Sequence, residues 1–119
     1  MRLADCIAQL LPADQAQVHL LEGWLALYAS ALGPSRTEQG SWLLETLQQH
    51  ARERVDAWLA ALEAEGALRP GARRSHATTV LAMVDGLCLD LLVAHSGTTV
   101  AQAREILFDV ITRVVVVER

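Results

Sequence analysis

Asp85 and Cys88 stand three residues apart in the run AMVDGLCLDLLVAH, residues 82–95, so a helix would bring a carboxylate and a thiol to one face. A thiol nucleophile needs a base to activate it, and none of His19, His50, His76 and His95 is spaced as a local partner for this pair. No nucleophile elbow and no phosphate-cradling glycine loop accompanies them. Cys6 and Cys88 form no CxxC and no Cys/His ligand set, so neither metal nor cofactor is expected. Both cysteines read as reduced, buried thiols of a reducing compartment. The chain is not expected to be an enzyme.

The other chemistry within reach is recognition. Trp24, Tyr28 and Trp58 are large rings in a chain that is 52% hydrophobic but only 4% aromatic. Pockets between bundle helices are mostly apolar and aromatic, with a few polar groups that fix orientation. Here Leu47, Ala51, Val84 and Cys88 would supply walls, and His50, Arg54 and Asp85 polar anchors. The same rings also suit a solid core, and Asp85 equally suits a hydrogen bond to a loop amide or a Trp N–H. Trp42 lies off the buried stripe, to cover the pocket mouth or to pack on the linker from Gly33 to Gly40.

The elements that must position these groups are separated by few breakers. Pro12, Gly33-Pro34, Gly40, the stretch 66–71 and the stretch 96–99 divide the chain into five segments, all with helical periodicity. Helices are expected over 2–11, 13–32, 41–65, 75–95 and from Thr99 to about 117. Gly66 is placed as a C-terminal cap of the third, and a Thr98 or Thr99 hydroxyl as the N-terminal cap of the fifth. With 119 residues this is expected to be one all-α domain, 1–119, a five-helix bundle.

The net charge of −4 and the absence of any basic run longer than two residues argue against nucleic-acid binding by this chain itself. The N-terminus is a poor signal peptide. The run 77–94 approaches membrane-spanning length, but Asp85 and Asp90 would each cost about 2.5 to 3.5 kcal/mol near a helix centre. No membrane association and a cytoplasmic location are expected.

The fourth segment is apolar on every side, and the apolar arc of the fifth spans more than half its circumference. Three short companions cannot cover both. A second copy can, if the last two helices of each chain form a four-helix bundle about a twofold axis. The residues expected there are Met83, Gly86, Leu89, Asp90 and Val93 from the fourth helix, and Arg104, Phe108, Ile111 and Val115 from the fifth. Gly86 would allow close backbone approach, and Asp90 would meet the partner's Arg104 or Arg113. A tolerated glycine in an intrachain contact is the other reading of Gly86.

The order LLPADQ, EGWLALYASALGP, HARERVDAWLAALEAEGALRPG and ATTVLAMVDGLCLDLLV, followed by an amphipathic helix, resembles the C-terminal domain of TetR-family transcriptional regulators. It is most similar to the subgroup typified by the choline-responsive repressor of betaine synthesis. VDGL and the GALRP of Gly66 to Pro70 carry part of the likeness. The resemblance implies an all-helical homodimer in which a small apolar or cationic effector enters among helices one to four and resets the spacing of two DNA-reading heads. A quaternary amine would suit an aromatic box beside Asp85 through cation–π attraction. The family's N-terminal helix-turn-helix has no counterpart in these residues, so the chain is expected to be a fragment, a product of a mis-assigned start, or a headless relative. The other function kept open is a stand-alone interaction protein that heterodimerises with a full-length regulator, with no ligand.

Overall fold

A computed structural model describes residues 3–93 and 95–117. Five α-helices follow one another: α1 Leu3–Ala8, α2 Leu21–Leu32, α3 Glu38–Ala64, α4 Arg73–Leu92 and α5 Val100–Val110. A 3-10 turn, Gln15–Leu20, precedes α2, and a π-helical turn, Ile111–Val115, continues α5. The fold is all-α; the described residues contain only an isolated antiparallel bridge between Leu68 and Val116.

Several boundaries differ from those expected, each for a local reason. The 13–32 helix is split, because Asp14 accepts from the Gln17 amide and starts a tighter turn before the α-helix takes over. The third helix begins earlier, capped by the Thr37 hydroxyl on the Gly40 amide. Gly40 is therefore no breaker but part of the first turn. A Cβ there would sit 2.5 Å from the Ser30 carbonyl oxygen, so its bare backbone lets α2 and α3 approach. The helix ends where expected, with Gly66 at φ 71 and the Ala67 amide reaching back to the Leu62 carbonyl. α5 starts on Thr99 in a full capping box with Gln102. Its end is untwisted by the β-branched run Val114–Val117, whose backbone bonds to the 67–69 segment: Arg69 N–H to Val115 O, 2.9 Å, and Val117 N–H to Ala67 O, 2.8 Å.

The core runs along most of α4 and α5. Ile7 from α1, Val55 and Leu59 from α3, Val80, Val84, Leu87, Cys88 and Leu91 from α4, and Val100, Ala103 and Leu107 from α5 close on one another with Ile111 and Val115. The α4 residues recur at helical spacing and define its inner side. By length and composition alone α4 could cross a membrane, but its buried set includes His76, whose Nε2 lies 3.0 Å from the Arg69 carbonyl oxygen.

The outer side of α4 carries Gly86, Leu89 and Val93, all exposed in the single chain. A Cβ at Gly86 would meet nothing within 4 Å, so the intrachain explanation of this glycine fails. Two residues expected on the dimer face belong elsewhere: Ile111 and Val115 are 2% and 0% exposed and fill the chain's own core. Ile111 continues the buried face of Ala103 and Leu107, and the π-helical turn then brings Val115 inward and leaves Val114 outside. Phe108 is exposed and Met83 partly buried against the core. Asp90 is half-buried, but both arginines suggested for it are engaged within their own chain. Arg104 donates to the Pro12 and Ala13 carbonyls, and Arg113 pairs with Asp109 at 3.0 Å.

Candidate functional site

Beside the core, against which Trp24 and Leu81 pack, α2, α3 and α4 diverge around a trough of about 640 Å³. α2 presents Trp24, Leu27 and Tyr28 at positions i, i+3 and i+4, one helical face. α3 contributes Leu44, Glu45, Leu47, Gln48, Gln49, Ala51 and Arg52, and α4 contributes Arg74, Thr78, Leu81, Ala82 and Asp85 along successive turns. Three helices thus supply an aromatic wall, an aliphatic floor and a polar rim.

At one end the Tyr28 ring packs on Trp24, with centroids 4.7 Å apart and planes tilted by 53°. The Tyr28 hydroxyl donates to Asp85 Oδ2 at 3.1 Å and accepts from Gln48 Nε2 at 3.3 Å. Burial pushes the Asp85 carboxyl above the ordinary carboxylate range, and the Tyr28 hydrogen bond offsets part of that rise. Tyr28 is also raised, first by burial, and the Asp85 charge adds to the rise while the Gln48 bond opposes it. Cys88 lies behind Asp85, buried, with its thiol pushed up to about 11 by burial and by the Asp85 charge. A thiol with that pKa stays protonated at neutral pH and is not an activated nucleophile.

At the other end Arg52 Nη1 donates to Thr78 Oγ1 at 3.0 Å, and Arg74 stands in the first turn of α4. The neighbouring Arg73 is neutralised differently. Its Nε lies 2.6 Å from Asp56 and its Nη1 3.2 Å from Glu63, and the Asp56 hydrogen bond raises its pKa above the usual guanidinium value.

Of the expected pocket residues, Trp24, Tyr28, Leu47, Ala51 and Asp85 come together on the trough, with Val84 and Cys88 buried in the core behind its α4 wall. His50, Arg54 and Trp58 do not line it. At about 100° per residue, His50 lies across α3 from Gln48 and points to solvent. Arg54 instead covers the Trp58 ring, 5.6 Å from its centroid, and Trp58 packs against the core. The box of several tryptophans therefore reduces to Trp24 and Tyr28. Trp42 is 65% exposed and borders Arg36 and Thr37, on the linker side.

Sequence reasoning misses Gln48, Arg52, Arg74, Thr78 and Leu81. Gln48 and Arg52 are findable, since they continue the face that carries Leu44, Val55 and Leu59. Arg74 is not, because the fourth helix is expected to start one residue after it.

A second hollow, about 680 Å³, lies where Asp5 and Ala8 of α1 face the Arg104–Asp109 stretch of α5. It is a more open groove between two helices, and two of its charged groups are already taken, Arg104 by the Pro12 and Ala13 carbonyls and Asp109 by Arg113, so the three-helix trough is the better candidate. Among the described residues no cluster of His, Cys, Asp and Glu could hold a metal ion.

One family model matches the chain: the C-terminal domain of BetI-type transcriptional repressors, over residues 1–116. No curated protein and no solved structure matches closely enough to add a relative.

Proposed function

Because the chain belongs to the C-terminal family of BetI-type transcriptional repressors, we propose that it is the effector-sensing and dimerisation part of such a cytoplasmic regulator. A small molecule enters the trough among α2, α3 and α4, and a second copy covers the outer stripe of α4 and the exposed flank of α5. The observation that carries the sensing half is the trough itself. Its Tyr28–Asp85 hydrogen bond joins α2 to α4 across the opening, so a ligand that competes for either group changes how the two helices are held. Dimerisation is supported by Gly86, Leu89 and Val93, which lie exposed on one side of a helix whose other side fills the core. The DNA itself would be read by a separate part of such a regulator.

The two halves are tested separately. Sedimentation equilibrium should give a dimer for the wild type and a monomer of unchanged helicity for Leu89→Arg. A wild type that stays monomeric at about 100 μM would remove the dimer reading. For sensing, a thermal-shift panel of small amphiphiles is compared on the wild type and on Ala82→Trp, whose indole would occupy the trough. Ligands should raise the melting temperature of the first and leave the second unmoved. Equal shifts in both would place binding elsewhere.

A further inference from the structure

We propose that the trough takes an organic anion, its acid group held between Arg52 and Arg74 and its apolar body lying against Trp24, Leu44 and Leu81. This rests on reading the trough as the effector site and adds the chemistry of the effector.

The trough is charged unevenly along its length. α3 and α4 run antiparallel, so Arg52, Arg74 and Thr78 gather at one end and Gln48, Tyr28 and Asp85 at the other. Arg52 and Gln48 are four residues apart on α3, Thr78 and Asp85 seven apart on α4, which separates the ends by about 6 to 10 Å. Among the described residues neither Arg52 nor Arg74 has a carboxylate within ion-pair distance. Of the nearby acids, Asp56 is ion-paired with Arg73, while Glu53, which accepts from Gln49, and Asp85, which accepts from Tyr28, keep their charge but lie beyond ion-pair distance of both arginines. Glu45 also lines the trough, but two turns of α3 away from Arg52, toward the end that carries Asp85. The cationic end therefore holds two guanidiniums without a counter-ion, opposite a neutral hydroxyl. The first-turn amides of α4 add to the same positive field.

Guanidinium forks match carboxylate oxygens in geometry as well as charge. A purely cationic ligand would be repelled by those two charges and could use only the end that carries Glu45 and Asp85. An anion whose apolar body is about 6 to 10 Å long spans the trough. Its acid group meets the arginines and its tail reaches the aromatic wall.

The test uses the full chain and three probes of matched chain length: octanoate, octanol and octyltrimethylammonium. Calorimetry and tryptophan fluorescence give affinities for the wild type, for an Arg52→Gln/Arg74→Gln double variant and for Ala82→Trp. Octanoate should bind the wild type about tenfold more tightly than octanol. The double variant should lose that preference while its octanol affinity stays the same, and added salt should weaken octanoate alone. Should the double variant not fold, Arg74→Gln, at an exposed position, is expected to lose part of the same preference. Octanol or the ammonium probe binding as well as octanoate, and lost in Ala82→Trp, overturns the anion assignment and leaves the trough reading intact. No binding by any probe, or octanoate binding untouched by Ala82→Trp, overturns both.

Discussion

The two halves of α3 belong to different surroundings. Its C-terminal half carries Val55 and Leu59, both 0% exposed, into a core closed by α1, α4 and α5. Its N-terminal half carries Leu47, which is 47% exposed, together with Gln48 and Arg52 along the trough. One end is filled by aliphatic side chains in contact on every side. The other is left open, between rings and polar groups that bond across a gap. A single 27-residue helix thus anchors the molecule at one end and offers a surface for recognition at the other. Stability and responsiveness need not compete at the same residues.

Truncating one leucine in each half of α3 tests this division of labour. Leu59→Ala should cost about 2–5 kcal/mol in a urea titration, the range for a fully buried leucine. Leu47→Ala should cost less than about 1 kcal/mol. Similar losses would mean that the trough is as closed as the core.

A third surface, the outer side of α4, is open like the trough but mainly apolar, with Gly86 and Leu89 exposed beside the half-buried Asp90. Gly86→Ala sharpens the difference. In an isolated chain it should raise stability by about 1 kcal/mol, since alanine is the better helix former and meets nothing. Against a closely packed second copy the added methyl should cost about 1–3 kcal/mol of dimer stability. The proposed dimer predicts the loss, read as a concentration-dependent dissociation in sedimentation.

Thr99→Ala removes the capping box that starts α5 and should cost about 1 kcal/mol by thermal unfolding. At the open end, Asp85 sets a pH dependence of opposite sign to that of an ion-paired carboxylate. Its pKa is raised in the fold, so the native state binds more protons than the unfolded chain between the ordinary carboxylate value of 3.8 and the raised one. Stability falls as pH rises through that window. Asp85→Asn should therefore stabilise the protein at neutral pH, by about 1 kcal/mol or less given the solvent screening at a half-buried site. The gain should vanish as pH falls below the ordinary value. A constant gain at all pH values would assign the effect to packing instead.

Much of the fold and part of the site are legible in the amino-acid order. Periodicity and breakers mark five helices, because a 3.6-residue apolar repeat survives whatever the helices pack against. Gly66 and Thr99 declare their caps through local chemistry alone. Trp24, Tyr28 and Asp85 group together on residue type and inward position. His50 and Arg54 are misplaced by the same reasoning, because an i, i+4 pair fixes a shared face but not the direction in which that face points. Ile111 is misplaced because it continues the face of Ala103 and Leu107 that the chain's own core takes up, and Val115 because a π-helical turn, followed by backbone bonds to residues 67–69, shifts the register of the last turn.

The sequence by itself determined the helical class, the family and the existence of more apolar surface on the last two helices than their own chain covers. These depend on side-chain type and on spacing within one helix, which short-range sterics and hydrogen bonding enforce. Tertiary structure alone decided which polar groups meet. Arg73 found Asp56 and Glu63 while Arg74, the next residue, turned toward the trough unpaired. Neighbours in sequence lie about 100° apart on a helix, so their partners are set by what packs beside each, and the chain order does not contain that information.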